Sequence, residues 1–166
     1  MSFDEVYKKH YHELRRFGRQ LNLSADKCED LTQETFLKFY NELKKEVEFE
    51  NPRAWLYKVY LNQFNTLYNS QKFETNNPDC KLISNAPSVD FQEEYSKDER
   101  KRIVFEVLDK LDERGKDILI LYNDGLSYSE IAEILEINPK SVGTMLVRAI
   151  EKLKVALKIQ YHEMFE

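Results

Sequence analysis

The segment LSYSEIAEILEINPKSV, residues 126–142, decides how the second half of the chain folds. Ser127 and Glu130 form the pattern of a capping box, in which each side chain bonds a free backbone N–H of the other residue, so a helix is predicted to begin here. Asn138 and Pro139 predict a second helix start, because Asn accepts a bond from a free amide and Pro has no amide to leave unpaired. About three residues separate the two helices, a spacing typical of a helix-turn-helix.

The last of these helices has one apolar side and one polar side. At about 100° per residue, its apolar residues fall together, and the opposite side carries Lys140, Thr144, Val147, Arg148 and Glu151, flanked by Ser141 and Lys152. We interpret it as a recognition helix for the DNA major groove. Lys140 and Arg148 would bind phosphates or guanine edges, and Ser141 and Thr144 would make shorter hydrogen bonds. A plain solvated face is the alternative interpretation.

Three helices are predicted in the first half of the chain. Ser2 and Glu5 form a second capping-box pattern and begin the first helix. Ser24 can cap the next helix, and Asn51 followed by Pro52 repeats the Asn-Pro start for the third. Apolar residues recur at helical spacing in each segment, which indicates three amphipathic helices packed on one another.

The third helix has an unusual composition. Residues 51–73 contain no Asp or Glu, although these make up 30 of the 166 residues of the chain, and they include six aromatic residues and four asparagines. Aromatic rings can stack on bases, amides can bond base edges, and a segment without acids does not repel phosphate. Trp55, Leu56 and Val59 are predicted to be core residues that hold this helix in place.

The composition favours an all-α protein of two small helical domains joined by a flexible linker. Residues 1–73 form the first predicted domain, residues 74–96 the linker, where two prolines and several Asn and Ser interrupt the helical pattern, and residues 97–166 the second domain. The longest purely apolar run has five residues, so we expect no membrane insertion and a cytoplasmic protein. The net charge of −5 argues against indiscriminate binding to nucleic acid.

Two stretches resemble one family. CEDLTQETFLKFYNEL with PRAWLYKVYLN resembles domain two, and LDERGKDILILYNDGLSYSEIAEILEINPKSVGTMLVRAIEKLK resembles domain four, of the extracytoplasmic-function (ECF) sigma factors, the promoter-recognition subunits of bacterial RNA polymerase. Neither stretch is specific alone, since helix-turn-helix motifs are common. Their order, their separation and the linker between them are specific together.

The resemblance implies partners and a role for each site. The partners are RNA polymerase core, through the clamp helices of its largest subunit and the flap of its second-largest subunit, and promoter DNA. The docking residues would be Asp30, Leu31, Gln33, Glu34 and Lys38. The residues for the minus-ten element would be Arg53, Lys58, Asn62 and Asn65. The residues for the minus-thirty-five element would be Lys140, Ser141, Thr144, Arg148 and Lys152.

Several departures from the family pattern reduce the number of cations on the predicted DNA-binding surfaces. Thr66 replaces the aspartate that usually follows the Asn62 position, and residues 68–71 lack the usual arginines. In the second half, Gly143 and Met145 replace residues that are often basic, and Glu136 replaces the turn glycine. Fewer cations neutralise fewer phosphates. We therefore expect weak DNA binding by the chain alone and placement by polymerase or by a second DNA-targeting protein.

Other functions remain as alternatives. A stand-alone helix-turn-helix regulator would explain the second half of the chain but not the docking motif or the acid-free helix. A helical adaptor without a nucleic-acid role is favoured only by the acidic net charge. An enzyme is disfavoured, because the three histidines lie in no constellation with carboxylates or cysteines, so we expect no catalytic residue, no metal ion and no cofactor. An anti-sigma factor is a further partner that the resemblance implies.

Overall fold

The structure, a computed structural model, describes residues 1–74 and 93–162, and in these ranges all regular secondary structure is helical. The all-α prediction is therefore confirmed. The chain divides into two compact units, Met1–Ala86 and Pro87–Glu166. Among the described helices, none combines the length and the apolar character that a membrane span requires.

The first unit contains α1 (Phe3–Gln20), α2 (Ala25–Lys44) and α3 (Pro52–Glu74). Each begins where the sequence predicts. Ser2 and Glu5 each accept a hydrogen bond from the backbone N–H of the other, at 3.3 and 3.0 Å. Ser24 accepts the N–H of Lys27, and Asn51 Oδ1 accepts the N–H of Ala54. These bonds satisfy amides that have no partner inside their own helices.

The core of the first unit is largely aromatic. Phe17 of α1 lies 4.9 Å from Tyr57 and 5.6 Å from Tyr60 of α3, measured between ring centroids. Trp55 packs against Phe39 of α2 at 5.6 Å and against the ring of Phe49 at 5.2 Å. Of the three residues predicted for the core, Leu56 is fully buried, while Trp55 and Val59 are half-buried.

Three of the five aromatic rings of α3 whose burial the structure describes are buried, and these three are unavailable for stacking on bases. Tyr57 and Tyr60 are fully buried, and Phe64 is 2% exposed. The physical reason is that α3 packs against both α1 and α2. Large rings fill the space between three helices efficiently, so the same residue type that could stack on a base serves the core here.

Close packing at the centre of the first unit depends on Gly18. A Cβ atom at this position would clash with the Tyr60 hydroxyl and lie 2.9 Å from Cys28 Sγ. Gly18 therefore lets α1 approach α2 and α3 more closely than any other residue would.

The second unit contains α4 (Glu93–Leu108), α5 (Glu113–Asn123), α6 (Tyr128–Leu135) and α7 (Pro139–Gln160). Helix α4 begins at Glu93, inside the range predicted as linker, and most of that range, residues 75–92, lies outside the described residues. The start of α5 is a further cap that the sequence analysis did not single out: Asp112 accepts the N–H of Gly115 at 3.3 Å.

The helix-turn-helix forms as predicted. Ser127 and Glu130 make a reciprocal capping box, and Asn138 caps α7 with Pro139 in its first turn. The core beneath consists of fully buried apolar side chains, namely Val107, Ile118, Leu121, Ile131 and Val142. Helix α7 packs against α4, α5 and α6 and so is held on three sides.

Two residues in left-handed conformation terminate helices in this unit. Gly125 follows α5 with φ +84°. Glu136 ends α6 with φ 54° and ψ 46°. A side chain with a Cβ atom costs roughly 1 kcal/mol or more in this conformation, so the turn forms at some expense of stability.

Candidate functional site

The predicted docking residues lie on α2, and four of them are exposed. Asp30, Gln33, Glu34 and Lys38 face solvent, and Lys38 Nζ lies 3.0 Å from Glu34 Oε1. Leu31 is only 7% exposed and belongs to the core. The predicted docking motif therefore consists of four residues on a polar surface and one buried residue, Leu31, that holds the helix in the core.

An exposed leucine lies within this polar surface and was missed in the sequence analysis. At about 100° per residue, Leu37 falls between Gln33 and Glu34 on the same side of α2. It is 59% exposed. Its neighbours in sequence, Phe36 and Phe39, are buried, so a closer count of helical positions would have placed Leu37 outside the core. We call Asp30, Gln33, Glu34, Leu37 and Lys38 the α2 surface.

The four residues predicted to contact the minus-ten element do not lie on one side of α3. Lys58 and Asn62 are one helical turn apart, with Asn62 exposed and Lys58 half-buried. Asn65 is buried, with 9% exposure. Arg53 projects from nearly the opposite side of the helix to Asn62, roughly 180° away by helical geometry.

Arg53 is bound to α1. Its Nε donates to Glu13 Oε1 at 2.7 Å, its Nη2 contacts the same oxygen, and its guanidinium lies 5.4 Å from the centroid of the Tyr57 ring. His10 Nδ1 lies 2.8 Å from the second oxygen of Glu13. Burial raises the pKa of Glu13, but the bonds from Arg53 and His10 outweigh it and hold that pKa below its usual 4.5. This cluster links the beginning of α3 to the middle of α1.

A groove of about 550 Å³ runs between α2 and α3. Glu34 and Lys38 of the α2 surface line one wall, and Asn62 and Gln63 line the other. Gln63 Nε2 donates to Thr35 Oγ1 at 3.3 Å, while its buried Oε1 has no partner in the described part of the chain. The groove therefore connects the two surfaces that the sequence assigns to polymerase and to DNA.

The exposed side of α7 holds most of the residues predicted to read DNA. Lys140, Thr144, Arg148 and Lys152 are exposed, and Ser141 is half-buried. Lys152 Nζ lies 3.6 Å from Asp112 Oδ1, so part of its charge is compensated. This side of α7 presents Lys140 near its beginning, then short polar groups, and then Arg148 and Lys152.

The two residues of α7 that depart from the family pattern, Gly143 and Met145, have different surroundings. Gly143 faces α6, where a Cβ atom would lie 3.4 Å from Cε2 of the Tyr128 ring. Met145 is half-buried and turns toward the core. Tyr128 and Tyr122 are each almost half exposed, with ring centroids 6.3 Å apart, and no periodic signal in the sequence marks this pair.

No group of three or more potential metal-ligating side chains occurs within residues 1–74 and 93–162. What the described residues do offer is a set of polar and cationic surfaces on α2, α3 and α7. Such surfaces suit reversible binding to protein and DNA.

Comparisons with known proteins account for both halves of the chain. The family model Sigma-70 region 2 matches residues 6–74, and the model Sigma-70, region 4 matches residues 101–153. The ECF RNA polymerase sigma factor SigM of Bacillus subtilis is 28% identical over 155 residues, which cover 93% of this chain and 94% of that protein. The ECF RNA polymerase sigma factor EcfG of Rhodopseudomonas palustris is 29% identical over 153 residues, which cover 92% of this chain and 83% of that protein.

Solved structures show the same fold. CnrH, in complex with the cytosolic domain of CnrY, superposes with a TM-score of 0.66 at 23% identity, over 95% of this chain and 88% of that one. The sigma factor RpoE of Bartonella quintana, in complex with the anti-sigma factor NepR, gives a TM-score of 0.61 at 23% identity, over 95% of this chain and 97% of that one.

The match to region 2 disfavours a stand-alone helix-turn-helix regulator, which would need only the second half of the chain. The sigma-factor family is not known for catalysis. With both regions matched in order and with relatives that align over most of its length, the chain belongs to the ECF sigma factors, which direct bacterial RNA polymerase core to promoters.

Proposed function

We propose that this sigma factor docks on RNA polymerase through the α2 surface and contacts promoter DNA through α3 and α7. The observation that carries the proposal is the position of Leu37. An apolar side chain that is 59% exposed lies among four exposed polar residues of the docking motif. Protein interfaces are commonly built in this way, with an apolar centre and a polar rim.

The proposed partner of the α2 surface is the pair of clamp helices in the largest subunit of polymerase. Leu37 would enter a pocket on that partner and lose most of its contact with water, while Asp30, Gln33, Glu34 and Lys38 make hydrogen bonds around it. Buried anchors of this kind contribute most of the affinity of an interface. The flap of the second-largest subunit would hold the second unit.

For the minus-ten element we propose Lys58 and Asn62 as the contacting pair. Asn62 is exposed and carries both a donor and an acceptor, which suits the edge of an unpaired base. Lys58, one turn earlier, would bind a phosphate. Arg53 and Asn65 would act as positioning residues, because one is bonded to Glu13 and the other is buried.

For the minus-thirty-five element we propose that α7 enters the major groove with Lys140, Ser141, Thr144 and Arg148. Val147, 56% exposed between them, could contact a thymine methyl group. Glu151 lies on the same side and would repel phosphate. We infer weak DNA binding by the chain alone, with placement by polymerase or a second DNA-targeting protein.

We further propose that an anti-sigma factor controls this chain. The sigma factor RpoE, which has the same fold, is held in a complex of this kind by the anti-sigma factor NepR. Such a partner would prevent docking on polymerase until a signal releases it.

Transcription in vitro with core polymerase tests the docking surface. We expect start sites that depend on the chain, and we expect Leu37→Gln to lower affinity for core at least about tenfold, since the lost anchor is worth roughly 1.4 kcal/mol or more. Val47→Gln is the matched control, because Val47 is an exposed apolar residue of the same unit outside the α2 surface. Equal affinities for the two variants would contradict the assignment of the surface.

A further inference from the structure

A stripe of cations runs along the exposed side of α1, outside every site described above. At about 100° per residue, its five members fall within roughly 120° of one another. The members are Lys8, Lys9, Arg15, Arg16 and Arg19. We call this set the α1 stripe. It is notable in a chain in which acids outnumber bases by 30 to 25.

Asp4 and Glu5 lie one turn before Lys8 and Lys9 and lower the positive charge at that end of the α1 stripe, although neither forms an ion pair with them within the described ranges. Glu13 lies on the side of α1 that faces α3 and is bonded to Arg53. Glu29 of α2 accepts from Arg15 Nε at 3.1 Å. Within the described ranges, Lys8, Lys9 and Arg19 form no ion pair. A face that stays positive beside an acidic chain indicates a negatively charged partner.

The length and the polar character of the α1 stripe favour DNA over an acidic protein as its partner. From Lys8 to Arg19 the helix rises about 16 Å, which is long enough for the α1 stripe to contact several phosphates of a duplex. The exposed side of this segment carries no large exposed apolar side chain. Protein interfaces usually need an apolar centre, whereas DNA interfaces are polar and strongly positive.

We propose that the α1 stripe binds the phosphate backbone of promoter DNA once the chain is part of the polymerase. This inference rests on the proposed function, because it requires a chain that reaches DNA through polymerase. The α1 stripe then adds phosphate contacts to those proposed for Lys58 of α3 and for the cations of α7. These contacts are independent of sequence, so they add affinity and salt dependence without changing which promoters are chosen.

The test uses the full chain assembled with core polymerase and a promoter duplex taken from the mapped start sites. The triple variant Lys8→Gln, Lys9→Gln, Arg19→Gln removes three exposed charges of the α1 stripe. The control variant Lys27→Gln, Lys44→Gln, Lys45→Gln removes three exposed charges of the same unit away from the stripe. Affinity for DNA is measured as a function of salt, and affinity for core is measured in parallel.

We expect the stripe variant to flatten the slope of log K against log salt by about two to three, and to weaken DNA binding roughly 10- to 100-fold at 0.1 M salt. The control variant should keep the slope of the unmodified chain, and both variants should keep their affinity for core. Equal slopes for the two variants would overturn the inference. So would a loss confined to core binding, which would assign the α1 stripe to an acidic surface of polymerase. A polymerase that binds no promoter even with the unmodified chain would overturn the proposed function as well.

Discussion

Arg53 shows how a cation chosen from the sequence can have a structural role. Its guanidinium bonds Glu13, forty residues earlier, and covers the face of Tyr57. The family resemblance assigns Arg53 to DNA, and local sequence patterns do not reveal a partner at that distance along the chain. In the structure its hydrogen-bonding edge is directed at α1.

Replacing Arg53 by Met should destabilise the first unit by about 1–3 kcal/mol, because two charge-assisted hydrogen bonds are lost while the packing on Tyr57 is largely kept. The measurement is urea unfolding followed in the first unit by hydrogen exchange. Arg19→Met is the control and should change stability little, since Arg19 is exposed. A normal stability for Arg53→Met, combined with weakened promoter binding, would instead support a direct contact of Arg53 with DNA.

The same variant should show a dependence on pH. Because the pKa of Glu13 is lowered in the folded chain, its stabilising contribution is fully present above its usual pKa of 4.5. It is lost as the pH falls through the lower folded value. The stability difference between the unmodified chain and Arg53→Met should therefore be constant near neutral pH and shrink below pH 4.5. A difference that grows in acid would exclude the Glu13 pair as its cause.

At the scale of elements, the sequence predicted where helices begin better than it predicted which side of a helix is exposed. The caps at Ser2, Ser24, Asn51, Ser127 and Asn138 all form. Capping depends on residues within one turn, so a short stretch of sequence contains the whole interaction. The side of α3 that faces the core depends instead on how three helices meet, and periodicity alone did not separate buried rings from exposed ones.

Gly143, where α7 faces α6, allows a test of whether a shortage of cations in α7 weakens DNA binding. Gly143→Lys adds a cation beside the groove-facing side, and the 3.4 Å space to Tyr128 accommodates its Cβ. We expect DNA affinity to rise about three- to tenfold and the salt slope to steepen by about one. The measurement is promoter binding by the chain with core polymerase over a range of salt.

Gly143→Gln provides the comparison for that variant. Both changes raise the helix propensity of α7 by roughly 1 kcal/mol, so a gain shared by the two variants would reflect stability of the helix. A gain limited to Lys would reflect the added charge. If neither variant changed the affinity, the shortage of cations in α7 would not be what limits DNA binding.

At the scale of the whole molecule, the two-part organisation could be predicted, because the composition of the chain changes sharply between its two periodic regions. The predicted sites could be only partly placed. Asn62 and Arg148 are exposed, whereas Leu31 and Asn65 are buried. A motif fixes residue types at a spacing, but exposure depends on neighbours from other helices, which the motif does not contain.

The charge of the whole chain leads to one more expectation. At a net charge of −5, the chain repels DNA at long range, and its cationic surfaces act only at contact. We expect the isolated chain to bind a promoter duplex with a Kd of roughly 1 μM or weaker at 0.15 M salt. A mobility-shift assay measures this, and salt-sensitive nanomolar binding by the isolated chain would contradict it.

Gly18 and Cys28 meet where the three helices of the first unit are closest. The Cys28 thiol is 1% exposed, and burial raises its pKa, so it is shielded both sterically and chemically from alkylating reagents. Its modification therefore requires the first unit to open. In a chain with Cys80 replaced by Ser, the rate at which Cys28 is alkylated would report how often the first unit opens. No probe would have to be attached to the protein.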